Sequence, residues 1–168
     1  KYSTGGTPVM YTYLITGATS DIGLELIKTV AKDGDKFILR GFGGSEKIEG
    51  FCRENHIDFD YYSVDLSNPE DTERFVTRLD KSGVIPTHFV HLPALRVVNT
   101  KFKNFDEERF LADVNVQILS AVKICKVILP KMAKAKFGRV LFMATSYVLA
   151  NPPKNTAAYV IAKNGIVG

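Results

Sequence analysis

Short apolar runs alternate with amphipathic stretches along most of this chain. The runs are rich in β-branched and aromatic residues, as is typical of buried strands. They predict five strands, at residues 9–15, 36–40, 59–64, 87–92 and 138–143.

The stretches between these runs carry apolar residues at helical spacing. They predict helices at residues 24–32, 45–55, 69–81 and 105–134, and from Ala157 onwards. The third helix has Pro69 in its first turn and Ser67 or Asn68 as its cap. Regular alternation with right-handed crossovers predicts an α/β fold with a doubly wound parallel sheet, strand order 3-2-1-4-5 and helices on both faces.

Composition narrows the class of protein. Apolar residues make up 45% and charged residues 24% of the 168 residues, which is ordinary for a globular domain. The net charge of +4 comes from scattered lysines and gives little reason to expect nucleic-acid or membrane binding. We interpret residues 1–8 as a flexible arm and residues 9–168 as one domain. Cys52 and Cys125, both in predicted helices, favour a reduced, cytoplasmic location.

The first predicted strand runs directly into Thr16-Gly17-Ala18-Thr19-Ser20-Asp21-Ile22-Gly23, and a helix follows. Glycine lets the backbone approach a pyrophosphate, and the free amides of a helix N-terminus hold the anion. This order favours a dinucleotide-binding loop. The alternative is a glycine-rich turn with Asp21 as the helix cap.

The second predicted strand ends at Arg40, Gly41 and Phe42, without a carboxylate. An acidic residue there would bind both ribose hydroxyls of NAD, whereas an arginine suits the 2′-phosphate of NADP. We therefore expect NADP to be preferred, with Arg40 at the phosphate and NAD still possible. The alternative is that Arg40 is a solvated strand end.

Two polar residues could serve either the fold or a site. Asp65, after the third strand, could reach the adenine amino group or cap the next turn. Asn115 lies among apolar residues of the long predicted helix. A buried asparagine needs hydrogen-bond partners, so it makes either a structural bond or part of a site.

Ser146, Tyr159 and Lys163 form the stretch of greatest chemical interest. Ser146 follows the fifth strand, at the sheet edge where open α/β folds bind ligands. Tyr159 and Lys163 are four residues apart on a helix, so they share a face. The ammonium favours the phenolate, which suits tyrosine for general acid/base work near neutral pH.

Together these segments resemble the short-chain dehydrogenase/reductase family, in its shorter single-domain branch, which includes 3-oxoacyl-acyl-carrier-protein reductases. The matching segments are residues 16–23, Asp65, Asn115, Ser146 and Tyr159-Val-Ile-Ala-Lys163, in the family's order along the whole chain. The resemblance implies a Rossmann-type fold that is incomplete at its C-terminal end. It also implies hydride transfer between NAD(P) and a carbonyl or alcohol, without a metal.

In that family Ser146 would bond the carbonyl oxygen and Tyr159 would donate the proton. Lys163 would assist Tyr159 and bond the nicotinamide ribose, while Asn115 would hold a water that links Lys163 to solvent. The resemblance places the cofactor on residues of the first loop and of three strand ends: Gly17, Thr19, Ser20, Asp21, Ile22, Gly23, Arg40, Asp65, Leu66, Pro93, Ala94, Tyr159 and Lys163.

This chain departs from the family pattern at three places. Asp21 stands where the phosphate loop has its middle glycine, and we expect its carboxylate to turn away and cap the helix. His91-Leu92-Pro93-Ala94 replaces Asn-Asn-Ala-Gly and is nearer to the His-Leu-Ala-Ala of the sugar-nucleotide branch. We interpret His91 as structural. The chain stops at Gly168, in the Tyr159 helix, where family members continue into a substrate lobe.

Three functional hypotheses follow. The first is an NADP-preferring carbonyl reductase acting on a small molecule. The second is a non-catalytic relative with a regulatory or dinucleotide-binding role, and the third is a nucleotide-sugar epimerase or dehydratase, which His91-Leu92 suggests. The apolar face of the 105–134 helix resembles the family's subunit-pairing surface, so we also expect a homodimer or homotetramer.

Overall fold

Five parallel strands form a single sheet in the computed structural model, which describes residues 10–168. They are β1 (Thr12–Thr16), β2 (Lys36–Gly41), β3 (Asp58–Ser63), β4 (His88–His91) and β5 (Arg139–Phe142). The strand order is β3-β2-β1-β4-β5, and every neighbouring pair is parallel. The predicted topology is confirmed, and the predicted arm at residues 1–8 lies outside the described residues.

Six α-helices surround the sheet in this described part. They are α1 (Asp21–Val30), α2 (Glu46–Glu54), α3 (Pro69–Lys81), α4 (Glu107–Val114), α5 (Ser120–Lys134) and α6 (Ala157–Val167). Asn68 caps α3 by accepting from the backbone N–H groups of Glu70 and Asp71. Of the two caps that the sequence left open, the structure therefore selects Asn68.

The central strand β1 is covered on both faces. Leu14 and Ile15 are adjacent and both fully buried, and successive strand residues point to opposite faces. Leu14 packs in one apolar cluster with residues of α3 and α5, and Ile15 packs in another with residues of α1 and α2. Burial on both faces explains why β1 and β2 read as nearly continuous apolar runs, whereas the edge strand β5 is exposed along its length.

The prediction of one continuous helix at residues 105–134 is wrong in one respect. A π-helical segment, Asn115–Leu119, separates α4 from α5, and the N–H of Ser120 donates to the carbonyl of Asn115. The wider turn shifts the register of the helix at that point, and such π segments are frequent at functional sites. Apolar periodicity does not reveal one inserted residue.

The two cysteines, Cys52 in α2 and Cys125 in α5, are free thiols on helices, as predicted. Burial raises the pKa of both thiols, which favours their protonated form. Among residues 10–168, no helix combines the length and apolarity that a membrane span requires.

Candidate active site

The loop between β1 and α1 brings its backbone close to the end of β4. Gly17 has a φ of +72°, and a Cβ there would lie 2.9 Å from the backbone nitrogen of Pro93. A Cβ on Gly23 would collide with the carbonyl of Ala18. Both positions therefore require glycine, and the loop has the tight, side-chain-free surface that a pyrophosphate needs.

Ser20, and not Asp21, caps α1. The Ser20 hydroxyl accepts from the N–H of Gly23 at 3.1 Å, so the predicted capping role of Asp21 is wrong. Asp21 turns outward and pairs with Lys47 at 2.8 Å, and the N–H groups of Asp21 and Ile22 have no acceptor in the described chain. The carboxylate thus carries its own counter-ion, and two amides at the positive end of the helix stay available to an anion.

Arg40 is buried at the end of β2, with only 3% of its surface exposed. The alternative that it is a solvated strand end is therefore wrong. Its Nε and Nη2 atoms have no hydrogen-bond partner in the described structure. Burial lowers the pKa of Arg40 to about 10, against the opposing effect of Tyr61 and Asp65, so the guanidinium is charged at neutral pH.

The end of β2 has no room for a larger side chain at Gly41. A Cβ there would collide with the side chain of Thr19 and lie 2.9 Å from the Tyr61 hydroxyl. Thr19, predicted at the cofactor, therefore lies over the strand end that carries no carboxylate.

Asp65 caps the turn that follows β3. Its Oδ1 accepts from the backbone N–H of Ser67 at 2.8 Å and from the Ser67 hydroxyl at 2.7 Å. This confirms the turn-capping alternative, while contact with an adenine stays a prediction. Leu66 beside it is buried in the core.

Asn115 begins the π segment and is half-buried. Its Nδ2 donates to the carbonyl of Ser67 at 3.2 Å. The side chain therefore makes a structural bond to the loop after β3, which ties the interrupted helix to the Asp65 turn.

His91 connects the phosphate loop to the π segment. Its Nε2 lies 3.0 Å from the carbonyl of Gln117, and its Nδ1 lies 2.7 Å from the Thr16 hydroxyl. A carbonyl only accepts, so Nε2 carries the proton and Nδ1 accepts from Thr16. Burial lowers the pKa of His91 to about 4, which keeps the ring neutral. The structural interpretation of His91 holds: both nitrogens are engaged inside the fold.

Lys163 is anchored beside Tyr159 at the end of β5. Its Nζ donates to the carbonyl of Met143 at 2.7 Å and lies 5.9 Å from the centroid of the Tyr159 ring. The Tyr159 ring packs edge-on against Tyr147, with centroids 6.2 Å apart, and Ser146 opens the short 3-10 turn that carries Tyr147. The structure thus brings Ser146, Tyr159 and Lys163 to one corner of the sheet.

A buried carboxylate accompanies the lysine. Burial lowers the pKa of Lys163, and the charge of Asp113 opposes this shift. Asp113 Oδ1 accepts from the N–H of Leu95 and from Nε2 of Gln117, at 3.1 and 2.7 Å. Asp113 therefore links the loop after β4, which contains Pro93 and Ala94, to the π segment.

Sequence reasoning missed three residues: Lys47 beside the phosphate loop, and Asp113 and Gln117 near the loop after β4. Lys47 has no local signal, because its partner Asp21 lies far from it in sequence. Asp113 and Gln117 are four residues apart and therefore share a helix face, and Gln117 donates to Asp113. The contact of Asp113 with Leu95 in the loop after β4 joins segments that are distant in sequence, so no local pattern reveals it.

Comparison with known proteins assigns the family. The family model described as short chain dehydrogenase matches residues 11–168, so the chain belongs to that family. It is 30% identical over 159 residues to a D-beta-hydroxybutyrate dehydrogenase of Cupriavidus necator, covering 94% of this chain and 61% of that protein. It is 22% identical over 157 residues to a 3-oxoacyl-acyl-carrier-protein reductase of Rickettsia prowazekii, covering 94% and 62%.

Solved structures share the fold. A metagenomic short-chain oxidoreductase in complex with NADP superposes with a TM-score of 0.83 at 19% identity, covering 94% of this chain and 71% of that one. NAD⁺-bound xylitol dehydrogenase superposes with a TM-score of 0.80 at 21% identity, covering 94% and 61%. This chain thus spans about three-fifths of the length of the curated relatives it matches.

Proposed function

We propose that the protein is an NAD(P)-dependent oxidoreductase that interconverts a carbonyl and an alcohol, with Tyr159 as the general acid/base. The observation that carries this proposal is the Lys163 ammonium, which is buried, bonded to Met143 and set beside Tyr159. Burying a charge is costly unless the charge is paired, and an unpaired buried charge is therefore typical of a functional site. The one hydrogen bond of the Lys163 ammonium is to a backbone carbonyl.

The described residues fit a dinucleotide. The side-chain-free approach at Gly17 and the two available amides of Asp21 and Ile22 suit a pyrophosphate. Family members whose structures superpose on this chain hold NAD⁺ or NADP, as their descriptions state. The bound nicotinamide would supply or accept the hydride. Contacts of the cofactor with Gly17, Thr19, Ser20, Asp21, Ile22, Gly23, Arg40, Asp65, Leu66, Pro93, Ala94, Tyr159 and Lys163 belong to this proposal.

The chain's own residues would manage the oxygen and its proton. The Ser146 hydroxyl would donate to the substrate oxygen, and the Tyr159 phenol would give that oxygen its proton during reduction. Lys163, held at Met143, would favour the phenolate that remains. Asn115 would act through the π segment, whose geometry is fixed by the bond to Ser67.

NADP is the cofactor that we propose to be preferred. The strand end at Gly41 has neither a carboxylate nor space for one. The two adenosine-ribose hydroxyls of NAD would therefore lack their usual hydrogen-bond acceptor. The buried guanidinium of Arg40 would stabilise a 2′-phosphate bound at the end of β2, because its charge is unpaired and lies close to that strand end. Lys47, exposed on α2, is a second cation beside the phosphate loop.

A second copy of this chain is the partner that we propose. Large apolar side chains of the π segment and α5 are about half exposed, which is costly for an isolated molecule: Leu119, Val122 and Leu129. These residues correspond to the helix that the family resemblance assigns to subunit pairing. Sedimentation of the protein at micromolar concentration should show a dimer or tetramer, and Val122→Asp should shift it to monomer; a wild-type monomer would exclude this proposal.

The catalytic proposal is tested by comparing Tyr159→Phe with wild type. Oxidation of NADPH by a panel of aldehydes and ketones should fall at least about 100-fold in the variant, while nucleotide affinity stays within about twofold. The result that would contradict the proposal is a variant as active as wild type. Wild-type protein that binds the nucleotide but reduces none of these carbonyls would favour instead the non-catalytic relative, in which the nucleotide serves binding or regulation.

A further inference from the structure

A small pocket lies against Tyr159, between the loop after β4 and the start of α6. Its lining includes Arg96, Thr100, Arg109, Asn155 and Tyr159. The space open to the centre of a water-sized sphere is about 40 Å³. One water needs roughly 10–15 Å³ on this measure, so the pocket holds a group of two or three heavy atoms.

The guanidinium of Arg96 has no partner within the described chain. It makes no hydrogen bond, ion pair or cation–π contact there, and Arg96 is exposed. The other exposed arginines are all engaged, by carboxylates, backbone carbonyls or aromatic rings: Arg53, Arg74, Arg78 and Arg139. Arg96 is therefore an available cation beside the candidate catalytic tyrosine.

The backbone of Arg96 is held in place. Arg109 Nη2 donates to the Arg96 carbonyl at 2.5 Å, and the adjacent N–H of Leu95 donates to Asp113. These bonds fix the peptide and leave the Arg96 side chain free. The backbone position from which the Arg96 side chain extends is therefore fixed.

The two carboxylates of the pocket are already occupied. Asp113 is buried and accepts from Leu95 and Gln117, and Asp106 caps α4 by accepting from the N–H of Arg109. Neither forms an ion pair with Arg96 within the described residues. The positive charge of Arg96 thus has no local counter-ion.

We propose that this pocket binds an anionic group of the substrate, a carboxylate, and that Arg96 is the residue that contacts it. The proposal rests on the proposed carbonyl chemistry at Tyr159 and adds the substrate class: a small oxo acid or hydroxy acid. A guanidinium binds a carboxylate through two parallel hydrogen bonds, and a carboxylate has three heavy atoms, as the pocket allows. The alkyl part would lie against the exposed side chains of Val97 and Val98.

The test compares matched substrates on the whole protein. Oxo acids of three to five carbons and their methyl esters are assayed with NADPH and with NADH, on wild type, Arg96→Gln and Arg96→Lys. Loss of one charge-assisted pair should raise KM for the acids about 10- to 100-fold, with kcat and the ester kinetics little changed. Arg96→Lys should restore part of the loss. Arg78→Gln is the matched control, because Arg78 is an exposed arginine of α3 that does not line the pocket. This variant should behave as wild type.

A binding measurement separates this proposal from the catalytic one. Calorimetric titration of nucleotide-saturated protein with a short hydroxy acid should show binding that Arg96→Gln weakens by the same factor. Turnover of esters in preference to acids, or acid kinetics unaffected by Arg96→Gln, would overturn the carboxylate site and leave the proposed function standing. Failure to bind any nucleotide or to reduce any carbonyl would overturn both.

Discussion

The Nζ of Lys163 donates to the carbonyl of Met143 at 2.7 Å, which fastens α6 to the end of β5. Met143 is three residues before Ser146, so the bond fixes the helix that carries Tyr159 relative to the turn that carries Ser146. Together with the edge-on packing of Tyr147 against Tyr159, it holds α6 to the segment that follows β5.

Lys163→Met tests the value of this anchor. The variant should fold, because removing a buried charge offsets the lost hydrogen bond. Its kcat for carbonyl reduction should fall by about 10²- to 10⁴-fold. Steady-state kinetics beside Lys134→Met, an exposed lysine at the end of α5, would check this; equal activity of the two variants would contradict it.

Gly17→Ala should damage the phosphate loop. The substitution forces a side chain to a φ of +72° and against the backbone nitrogen of Pro93, at a cost of about 1–3 kcal/mol. Nucleotide affinity should fall with stability. Gly43→Ala is a matched control, because its φ of +69° imposes the same backbone penalty in open space. Titration of both variants with NADPH should show a defect in Gly17→Ala alone.

His91 should make stability depend on pH in the acid range. In the unfolded chain this ring becomes protonated below about pH 6.5, whereas in the folded protein it stays neutral down to about pH 4. The free energy of unfolding should therefore fall as the pH drops from 6.5 to 4, by up to about 3 kcal/mol from this group, and be unaffected by it above 6.5.

Urea unfolding of His91→Gln across this range measures that contribution. The variant keeps a donor for Gln117 and an acceptor for Thr16 but does not titrate, so its pH dependence should be shallower. Thr16→Val removes the hydrogen bond that the neutral ring accepts, so it should raise the pKa of His91 and make the pH dependence shallower, though less so than His91→Gln does. An unchanged slope in His91→Gln would show that the ring is not held neutral.

Asn115→Ala should loosen the junction of α4 and α5. The lost hydrogen bond to the Ser67 carbonyl predicts a decrease in unfolding free energy of about 0.5–1.5 kcal/mol. Asn55→Ala removes an exposed side-chain bond to its own helix and should cost less than about 0.5 kcal/mol. Equal effects in urea titrations would mean that the Asn115 bond is not formed in solution.

The fold was predictable because each element carries its own signal. The central strands β1 and β2 are buried on both faces and read as apolar runs, and Pro69 and Asn68 mark the start of α3. The predicted strand and helix bounds differ from the observed ones by a few residues at most, apart from the interrupted helix at 105–134.

The site was predictable only in part, since its finer features depend on contacts between distant segments. Arg40 is buried, with Tyr61 and Asp65 from another part of the chain close enough to act on its charge, and Asp21 turns outward to pair with Lys47 on another helix. The π segment is bonded to Ser67 and His91, and Asp113 just before it is bonded to Leu95; none of these contacts leaves a periodic trace in the sequence.

The most direct test of the central claim is fluorescence titration of the whole protein with NADPH and with NADH, with Arg40→Ala and Tyr159→Phe alongside. We expect NADPH to bind more tightly than NADH, Arg40→Ala to reduce that difference, and Tyr159→Phe to bind normally. Absence of binding to either nucleotide by the wild-type protein would contradict the account.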